Sequence, residues 1–392
     1  METTLPLALT TDDLIEEFFL RLPPEDPASL VHAALVCKRW RRILTDRGFR
    51  RRFCEHHHRR PPLLGYFRYG PTTATTRLLF TPTSSFRPRN AGHRFMKALD
   101  SRHGRVLISH NAFRQDPSAC RLSVLDPITG HLLSLPRLPL RKPLPSVYNF
   151  TWNAVVLCAS SGLGCDDSGS DCHCQGRPFL VIFIGTSKQE VYAYVYSSQA
   201  GAWSHTSSVA RDTLGLLIST RLDHRDTRAS AVARDAVYFK FFQNNVRILK
   251  YDLGAQEISS VDLPDKCRGP RILLLTDTEY GGLLGVATVG MSRIDLWWSS
   301  EAGPDGCFRW EPPRVIELQP VPHANPNLVH VVDIVHSLGA IIIRAHDGVF
   351  SLDIESKRMT KLCEDNCTSC FVPYLSFCTP ALGAITGEGP SS

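Results

Sequence analysis

The sequence lacks any long apolar run. Its longest apolar stretches, such as LGAIIIRA at 338–345, fall well short of the roughly 18 residues that cross a bilayer. The first residues, METTLPLALTTDD, also lack the cationic start and long apolar segment of a secretory signal. We therefore expect a cytoplasmic or nuclear protein with no membrane partner.

Sequence motifs of common enzymes are missing as well. The chain contains no P-loop, no HExxH, no GxSxG, and no GxGxxG placed after a strand. Acidic residues and histidines are scattered through strand-like segments, as they are on an ordinary surface. We predict a non-catalytic protein. A hydrolase is an alternative that no residue pattern favours.

The thirteen cysteines are an odd number, and a reducing compartment argues against a disulfide framework. Two clusters contain metal-ligand residue types: Cys165, Cys172, His173 and Cys174, and Cys363, Cys367 and Cys370 with Cys378 as a fourth. The first is too crowded for paired C-x2–4-C spacing, and the second adjoins strand-like sequence where small cysteines are often buried. We predict no metal and no cofactor.

Charge is strongly polarised in the first sixty residues. Segment 11–35 has a net charge of −5, and segment 36–60 has a net charge of +8, which exceeds the +6 of the whole chain. The basic segment lacks interleaved exposed aromatics, so we expect a solvated helix face rather than a nucleic-acid site. Its three consecutive histidines, 56–58, cannot all face one ion and are expected in a solvated linker.

Helix signals fill the same region. Thr10-Thr11-Asp12-Asp13 predicts a capped start, and Leu14, Ile15, Phe18, Phe19 and Leu22 form an apolar stripe that ends at Pro23-Pro24. Asp26-Pro27 predicts a second helix, and VCKRWRRIL at 36–44 predicts a third that ends near Gly48. Three short helices cannot cover all of their own large apolar side chains, so this surface requires a partner.

TDDLIEEFFLRLPPEDPASLVHAALVCKRWRRILTDRGFRRRF, residues 11–53, closely resembles the F-box of plant proteins. The continuation HRRPPLLGYF at 58–67 resembles the grass type of this family. One departure is Thr10-Thr11, which stands where a Leu-Pro pair often opens the motif.

The resemblance implies that the segment binds a Skp-type adaptor, which in turn holds a cullin in an SCF ubiquitin ligase. The adaptor-binding positions that the resemblance implies are Leu14, Ile15, Leu22, Pro23, Leu30, Val36, Cys37 and Trp40.

Beyond Pro61 the sequence is typical of an all-β domain. Five stretches resemble one another, each an alternating strand that ends in a polar turn: LSVLDPITG (122–130), VYAYVYSSQAGAW (191–203), ILKYDLGAQE (248–257), IDLWWSSEAG (294–303) and VFSLDIESKRM (349–359). Hydrophobic strands such as RVLIS (105–109) precede them, and 160–177 is an insertion predicted to form a loop. Repeats of about fifty residues with several strands each are typical of kelch-like propeller blades.

We therefore predict a small three-helix F-box followed by a β-propeller of six or seven blades, with a pair of β-sandwiches as the alternative. The predicted bounds are 9–55 for the F-box, 56–64 for a basic linker, 65–385 for the β domain and 386–392 for a disordered tail. The β domain is expected to bind an unknown protein substrate. The alternative function is an F-box-like protein that binds glycan or nucleic acid without a ligase role.

Overall fold

The computed structural model describes residues 11–57, 61–71, 76–89, 96–110, 121–139, 151–159, 177–216, 221–222, 230–242, 244–267, 271–277, 282–290, 293–300, 309–317, 330–335, 339–345, 348–364 and 369–379. Within them, four helices come first: α1 (Thr11–Leu20), α2 (Pro27–Val36), α3 (Lys38–Thr45) and α4 (Arg47–His56). In the part of the chain so described, no helix is long and apolar enough to span a membrane.

The fourth helix corrects the prediction of three helices, the last of which was expected to end near Gly48. Asp46 begins α4 by accepting a hydrogen bond from the backbone N–H of Phe49 at 3.0 Å. A Cβ on Gly48 would lie 2.6 Å from the Asp46 carboxylate, so glycine leaves room for this cap. Phe49 and Phe53, one turn apart, are then buried in the helical core.

Twenty-four strands follow: β1 (Leu63–Pro71), β2 (Thr76–Pro82), β3 (Met96–Arg102), β4 (Arg105–His110), β5 (Arg121–Leu125), β6 (Leu132–Ser134), β7 (Thr151–Cys158), β8 (Phe179–Thr186), β9 (Glu190–Ser197), β10 (Ala202–Ala210), β11 (Arg221–Leu222), β12 (Ser230–Ala233), β13 (Ala236–Phe242), β14 (Asn244–Asp252), β15 (Ile258–Asp262), β16 (Arg271–Asp277), β17 (Leu283–Val289), β18 (Arg293–Trp298), β19 (Arg314–Glu317), β20 (His330–Val335), β21 (Ala340–Ala345), β22 (Gly348–Asp353), β23 (Met359–Cys363) and β24 (Ser369–Leu375).

These strands form six antiparallel sheets. Five are built from consecutive strands: blade 1 from β3–β6, blade 2 from β7–β10, blade 3 from β11–β15, blade 4 from β16–β19 and blade 5 from β20–β23. The sixth, the closing blade, has the order β2-β1-β24 and so joins the two ends of the β domain. The prediction of six or seven blades is confirmed at six, and the β-sandwich alternative is wrong.

The blades close into a ring through their inner strands. β24 contacts β3, β3 contacts β7, β7 contacts β11, β12 contacts β16, β16 contacts β20, and β20 contacts β24. Buried side chains reinforce the contacts between blades. Asp100 accepts a hydrogen bond from Val156 N at 2.9 Å, and Lys240 Nζ donates to Ile272 O at 3.1 Å. Because the ring is closed, the inner edge of each described sheet is short and is protected by contact with the neighbouring blades.

The five sequence repeats occupy one place in the blades. Each begins in the third strand, and in four of them the turn toward the fourth strand is described in full. In three of these turns an aspartate accepts backbone N–H bonds: Asp126 from Ile128, Asp252 from Ala255, and Asp353 from Ser356. Ser197 accepts from Ala200 in the fourth. The polar residue that ends each strand therefore closes the hairpin.

The helices are seated on one face of the propeller. Phe377, just after β24, packs in the same buried cluster as the helical core, and its ring lies 6.1 Å from the ring of Phe53. Arg50 Nε donates to Thr379 Oγ1 at 2.7 Å. We call this the helix face of the propeller. The inner strands end at this face and begin at the opposite one, the far face.

A second contact holds the start of α2. Ser85, which follows β2, accepts a hydrogen bond from Ala28 N at 3.3 Å, and its own hydroxyl donates to the Asp26 carboxylate. Asp26 lies at the predicted N-cap position but makes no side-chain cap bond to the helix backbone. The Ser29 hydroxyl, and then that of Ser85, keep the pKa of Asp26 below its usual value. A propeller residue thus completes the start of this helix.

Candidate functional site

Exposed apolar side chains are concentrated on α1 and α2. Five large hydrophobic side chains there are between 38% and 64% exposed: Leu14, Phe18, Val31, Leu35 and Val36. The only comparable side chain elsewhere in the described residues is Val315, on β19. We call the five the apolar face. A soluble surface that concentrates large apolar side chains in this way is typical of a protein-docking site.

Helical spacing explains how the apolar face forms. Leu14 and Phe18 are four residues apart on α1, and Val31 and Leu35 are four residues apart on α2, so the members of each pair lie on one side of their helix. The opposite sides of both helices are buried. Phe19 and Leu30 are almost completely enclosed, and the Phe19 ring meets that of Trp40 edge-on at 5.2 Å. The exposed side chains therefore rest on a packed support.

The predicted adaptor-binding residues fall into three groups. Exposed are Leu14, Pro23, Val36 and Cys37; half-buried are Ile15, Leu22 and Trp40; completely buried is Leu30. The three half-buried side chains pack against the helical core. Leu30 lies inside that core, where its role is to hold the helices together. Adaptor contact by the accessible residues stays a prediction.

Cys37 has a structural role in addition to the predicted one. It lies at the N-cap of α3, where its Sγ accepts a hydrogen bond from Trp40 N at 3.4 Å. Sulfur is a weak acceptor, so this cap contributes less than a hydroxyl or carboxylate would. The extended backbone of Cys37 also forms the corner between α2 and α3.

The sequence prediction missed three residues of the apolar face. Phe18, Val31 and Leu35 were not among the predicted contacts, although all three are exposed. The four-residue spacing from Leu14 to Phe18 was a usable signal. For Val31 and Leu35 the signal was weaker, because α2 is apolar on most of its circumference and its exposed side is decided by where α3 packs.

Ion pairs between helices explain the charge polarity. Asp12 on α1 pairs with Arg39 and, at 3.0 Å, with Arg42 on α3; Glu16 pairs with Arg52 on α4. The bond from Arg39 keeps the pKa of Asp12 below its usual value, and Glu16 raises the pKa of Arg52. Pairs this exposed are screened by solvent, so each one stabilises the fold only a little. The acidic and basic segments therefore meet within one domain.

The histidine run is only partly solvated. His56 is the last residue of α4, and the His57 ring packs 4.6 Å from that of Phe53. Burial, followed by the neighbouring His56, lowers the pKa of His57. His58 lies outside the described residues. The neutral form of His57 is thus favoured at pH 7, as its place against a phenyl ring requires.

The cysteine clusters are described only in part. Cys165, Cys172, His173, Cys174 and Cys367 lie outside the described residues, as do residues 160–176 of the predicted insertion at 160–177 and the side chain of Cys370. Burial raises the pKa of the Cys378 thiol to about 12. The described residues contain no group of three or more His, Cys, Asp or Glu side chains that could hold a metal.

Comparison with known families agrees with this architecture. Residues 11–52 match the F-box domain, so the helices that carry the apolar face define an F-box protein. Residues 97–380 match the family described as F-box protein AT5G49610-like, beta-propeller. The chain belongs to this family. The class is that of F-box proteins in which the F-box is followed by a β-propeller, here of six blades.

Solved structures give only distant likenesses. A functionally unknown protein from Desulfotomaculum acetoxidans is 8% identical, with a TM-score of 0.38, covering 79% of this chain and 89% of its own. A PL25 ulvan lyase is 11% identical, with a TM-score of 0.36, covering 82% of this chain and 76% of its own. The WD40 domain of SCAP from fission yeast is 12% identical, with a TM-score of 0.33, covering 74% of this chain and 55% of its own. Scores this low support no conclusion. Comparison with curated proteins gave no match.

Proposed function

We propose that this protein is the substrate-recognition subunit of an SCF-type ubiquitin ligase. The apolar face of α1 and α2 binds a Skp-type adaptor, the adaptor binds a cullin, and the propeller binds a protein substrate. The observation that carries the proposal is the concentration of exposed large hydrophobic side chains on the F-box helices. The F-box match supports the same partner.

The mechanism is proximity. Ubiquitin transfer belongs to other subunits, so the chain needs no catalytic residue of its own. Holding a substrate lysine near a charged conjugating enzyme replaces a bimolecular encounter by a tethered one, at an effective concentration that linker geometry sets. The contacts of Phe377, Thr379 and Ser85 with the helices favour a fixed distance between adaptor and substrate.

The proposal extends to source, location and domain limits. The resemblance of residues 11–67 to grass F-box proteins supports a plant source, and the repeat length supports a kelch-like propeller. We propose that the protein works in the cytoplasm or nucleus. We further propose that the F-box occupies 9–55, the linker 56–64, the β domain 65–385 and the tail 386–392.

Co-purification with a Skp-type adaptor tests the proposal. Leu14→Asp places a carboxylate on the apolar face without entering the helical core. Val315→Asp is the matched control, because Val315 is also an exposed apolar side chain but lies on blade 4. We expect Leu14→Asp to lose the adaptor and Val315→Asp to retain it. Trp40 is a poorer choice, since its ring supports Phe19.

The size of the effect follows from burial. Leu14 is 54% exposed, so burying the exposed part of its side chain contributes about 1 kcal/mol to the free energy of adaptor binding. An unpaired carboxylate at the same place costs at least about 2 kcal/mol. The sum, ~3 kcal/mol, is a loss of roughly a hundredfold in affinity. If folded Leu14→Asp protein recovered adaptor as well as wild type, the proposed surface would be wrong; no adaptor with wild type would favour the glycan or nucleic-acid alternative.

A further inference from the structure

The far face of the propeller is the face that the helices leave open. Ser85, Phe377 and Thr379, which touch the helices, all follow strands that end at the helix face. The hydrogen bonds and ring contacts that join the helices to these residues therefore lie on the helix face. A substrate that is to be held by the propeller has the far face available to it.

Charge on the far face is arranged in two zones. The inner zone is built from the three inner strands of each blade. It consists of the four residues of each strand that are nearest the far face, together with the described turns that join these strands there. Its described Lys and Arg side chains greatly outnumber its described acidic side chains, which are Glu190 and Asp295. The cations are Arg68, Arg77, Lys97, Arg121, Lys188, Lys240, Arg247, Arg293 and Arg344.

The described residues of the outer zone have no such excess of cations. It consists of the far ends of the fourth strands and the residues that follow them. Its acids are Asp212, Asp262, Asp265, Glu317 and Glu364, and its cations are Arg137, Arg211, Lys266 and Lys361. Among the described residues, the inner zone is thus mainly positive and the outer zone has mixed charge. Such a potential attracts a negative ligand to the centre and orients it there.

Some cations of the inner zone already form bonds within the propeller. Lys240 Nζ binds Ile272 O, and Arg247 pairs with Asp262 and donates to Leu214 O. Other cations are exposed. Arg121, Lys188 and Arg293 are of this kind and come from blades 1, 2 and 4; Arg293 also pairs with Asp295, its Nε lying 3.4 Å from the carboxylate.

We propose that the inner zone of the far face binds an acidic peptide segment of the substrate protein. This inference rests on the proposed receptor function, since it names the chemistry of what the receptor recognises. An extended acidic segment presents carboxylates that can reach cations on several blades. Charged pairs of this kind contribute chiefly to specificity and to the rate of encounter.

The surface favours an acidic peptide over a single-stranded nucleic acid. Proteins that bind single strands combine cations with exposed aromatic rings on which bases stack. Within the described part of the propeller, the one strongly exposed large hydrophobic side chain is Val315, which is not aromatic. Charge is therefore the main attraction that the described far face offers.

Fluorescence anisotropy with a labelled peptide of ten glutamates tests the proposal on the purified full chain. The test variant combines Arg121→Glu, Lys188→Glu and Arg293→Glu. The control combines Arg177→Glu, Arg309→Glu and Arg358→Glu, which are also exposed but lie at the helix-face ends of their blades. We expect the test variant to bind at least about tenfold more weakly, and the control to change less than about twofold. Raising the salt concentration should weaken wild-type binding.

Three outcomes would overturn the proposal. They are no peptide binding by wild type at low salt, an equal loss in the control variant, and tighter binding of a ten-nucleotide thymidine strand than of the peptide. Circular dichroism confirms that both variants are folded. Since the peptide test needs no adaptor and Leu14 is on the other side of the molecule, failure here is distinguishable from failure to recruit the adaptor.

Discussion

Phe377 holds the F-box helices onto the propeller, and its removal should release them. The side chain is 8% exposed and lies within the helical cluster although it follows the last strand. Phe→Ala at buried positions costs about 3–5 kcal/mol. A core of fewer than ~70 residues seldom supplies more than ~3–5 kcal/mol by itself. Phe377→Ala should therefore remove most of the stability that keeps the helices folded.

Hydrogen exchange measured by mass spectrometry locates the effect. A loss of ~3 kcal/mol corresponds to roughly a hundredfold faster exchange. We expect this acceleration in amides of α1, α2 and α4, while β8 and β13 keep wild-type protection. Phe179→Ala is the matched control, since Phe179 is also 8% exposed but packs with Tyr196 and Arg105 in the propeller.

The two variants should give opposite patterns. Phe179→Ala should accelerate exchange in blade 2 and leave the helices protected. If the helices of folded Phe377→Ala exchanged as slowly as those of wild type, the helices would not depend on this contact. The F-box would then be an independent domain, and the fixed geometry proposed for the receptor would lose its main support.

Two further predictions concern the propeller itself. Gly201 has φ +64°, and beyond its chain neighbours no heavy atom lies within 4 Å of the position that a Cβ would take, so Gly201→Ala should cost about 1 kcal/mol through backbone strain alone. Gly254→Ala, in the matching turn of blade 3 but without positive φ, should change the free energy of unfolding by no more than ~0.5 kcal/mol. Equal urea midpoints for Gly201→Ala and Gly254→Ala would contradict this. Asp100→Ala should cost about 3–5 kcal/mol in urea unfolding, because Arg102, 3.2 Å away, and Val156 N lose a buried partner. Adding Arg102→Leu should restore part of the loss, and a fully stable single variant would show that the pair is dispensable.

The propeller was predictable from strands and turns, but its repeat motif was hard to see. The residue four positions after each turn-starting Asp or Ser has positive φ in the four fully described repeats, at Gly130, Gly201, Gln256 and Lys357. Glycine is preferred there, yet two blades tolerate other residues. A search for periodic glycine therefore fails, although the blades share the same turn geometry.

The contact of the helices with the propeller could not be predicted from the sequence. Phe377 and Thr379 follow the last strand, far from α4 in the chain, and neither belongs to a helical pattern. The fourth helix could have been found, since Asp46 caps it and Phe49 and Phe53 have helical spacing. Gly48 was misinterpreted because glycine near a helix boundary more often ends a helix than leaves space at its start.

The closing blade sets an order of events during synthesis. β1 pairs with β24, whose partner residues Leu63 and Leu375 are roughly 300 residues apart. At ~5–20 residues per second, β1 waits about 15–60 s for its partner to leave the ribosome. The helices, made first, wait as long for Phe377. Until then an unpaired strand edge and the propeller-facing side of the helices are open to wrong partners, so the period of greatest aggregation risk lasts until the final strand has been made.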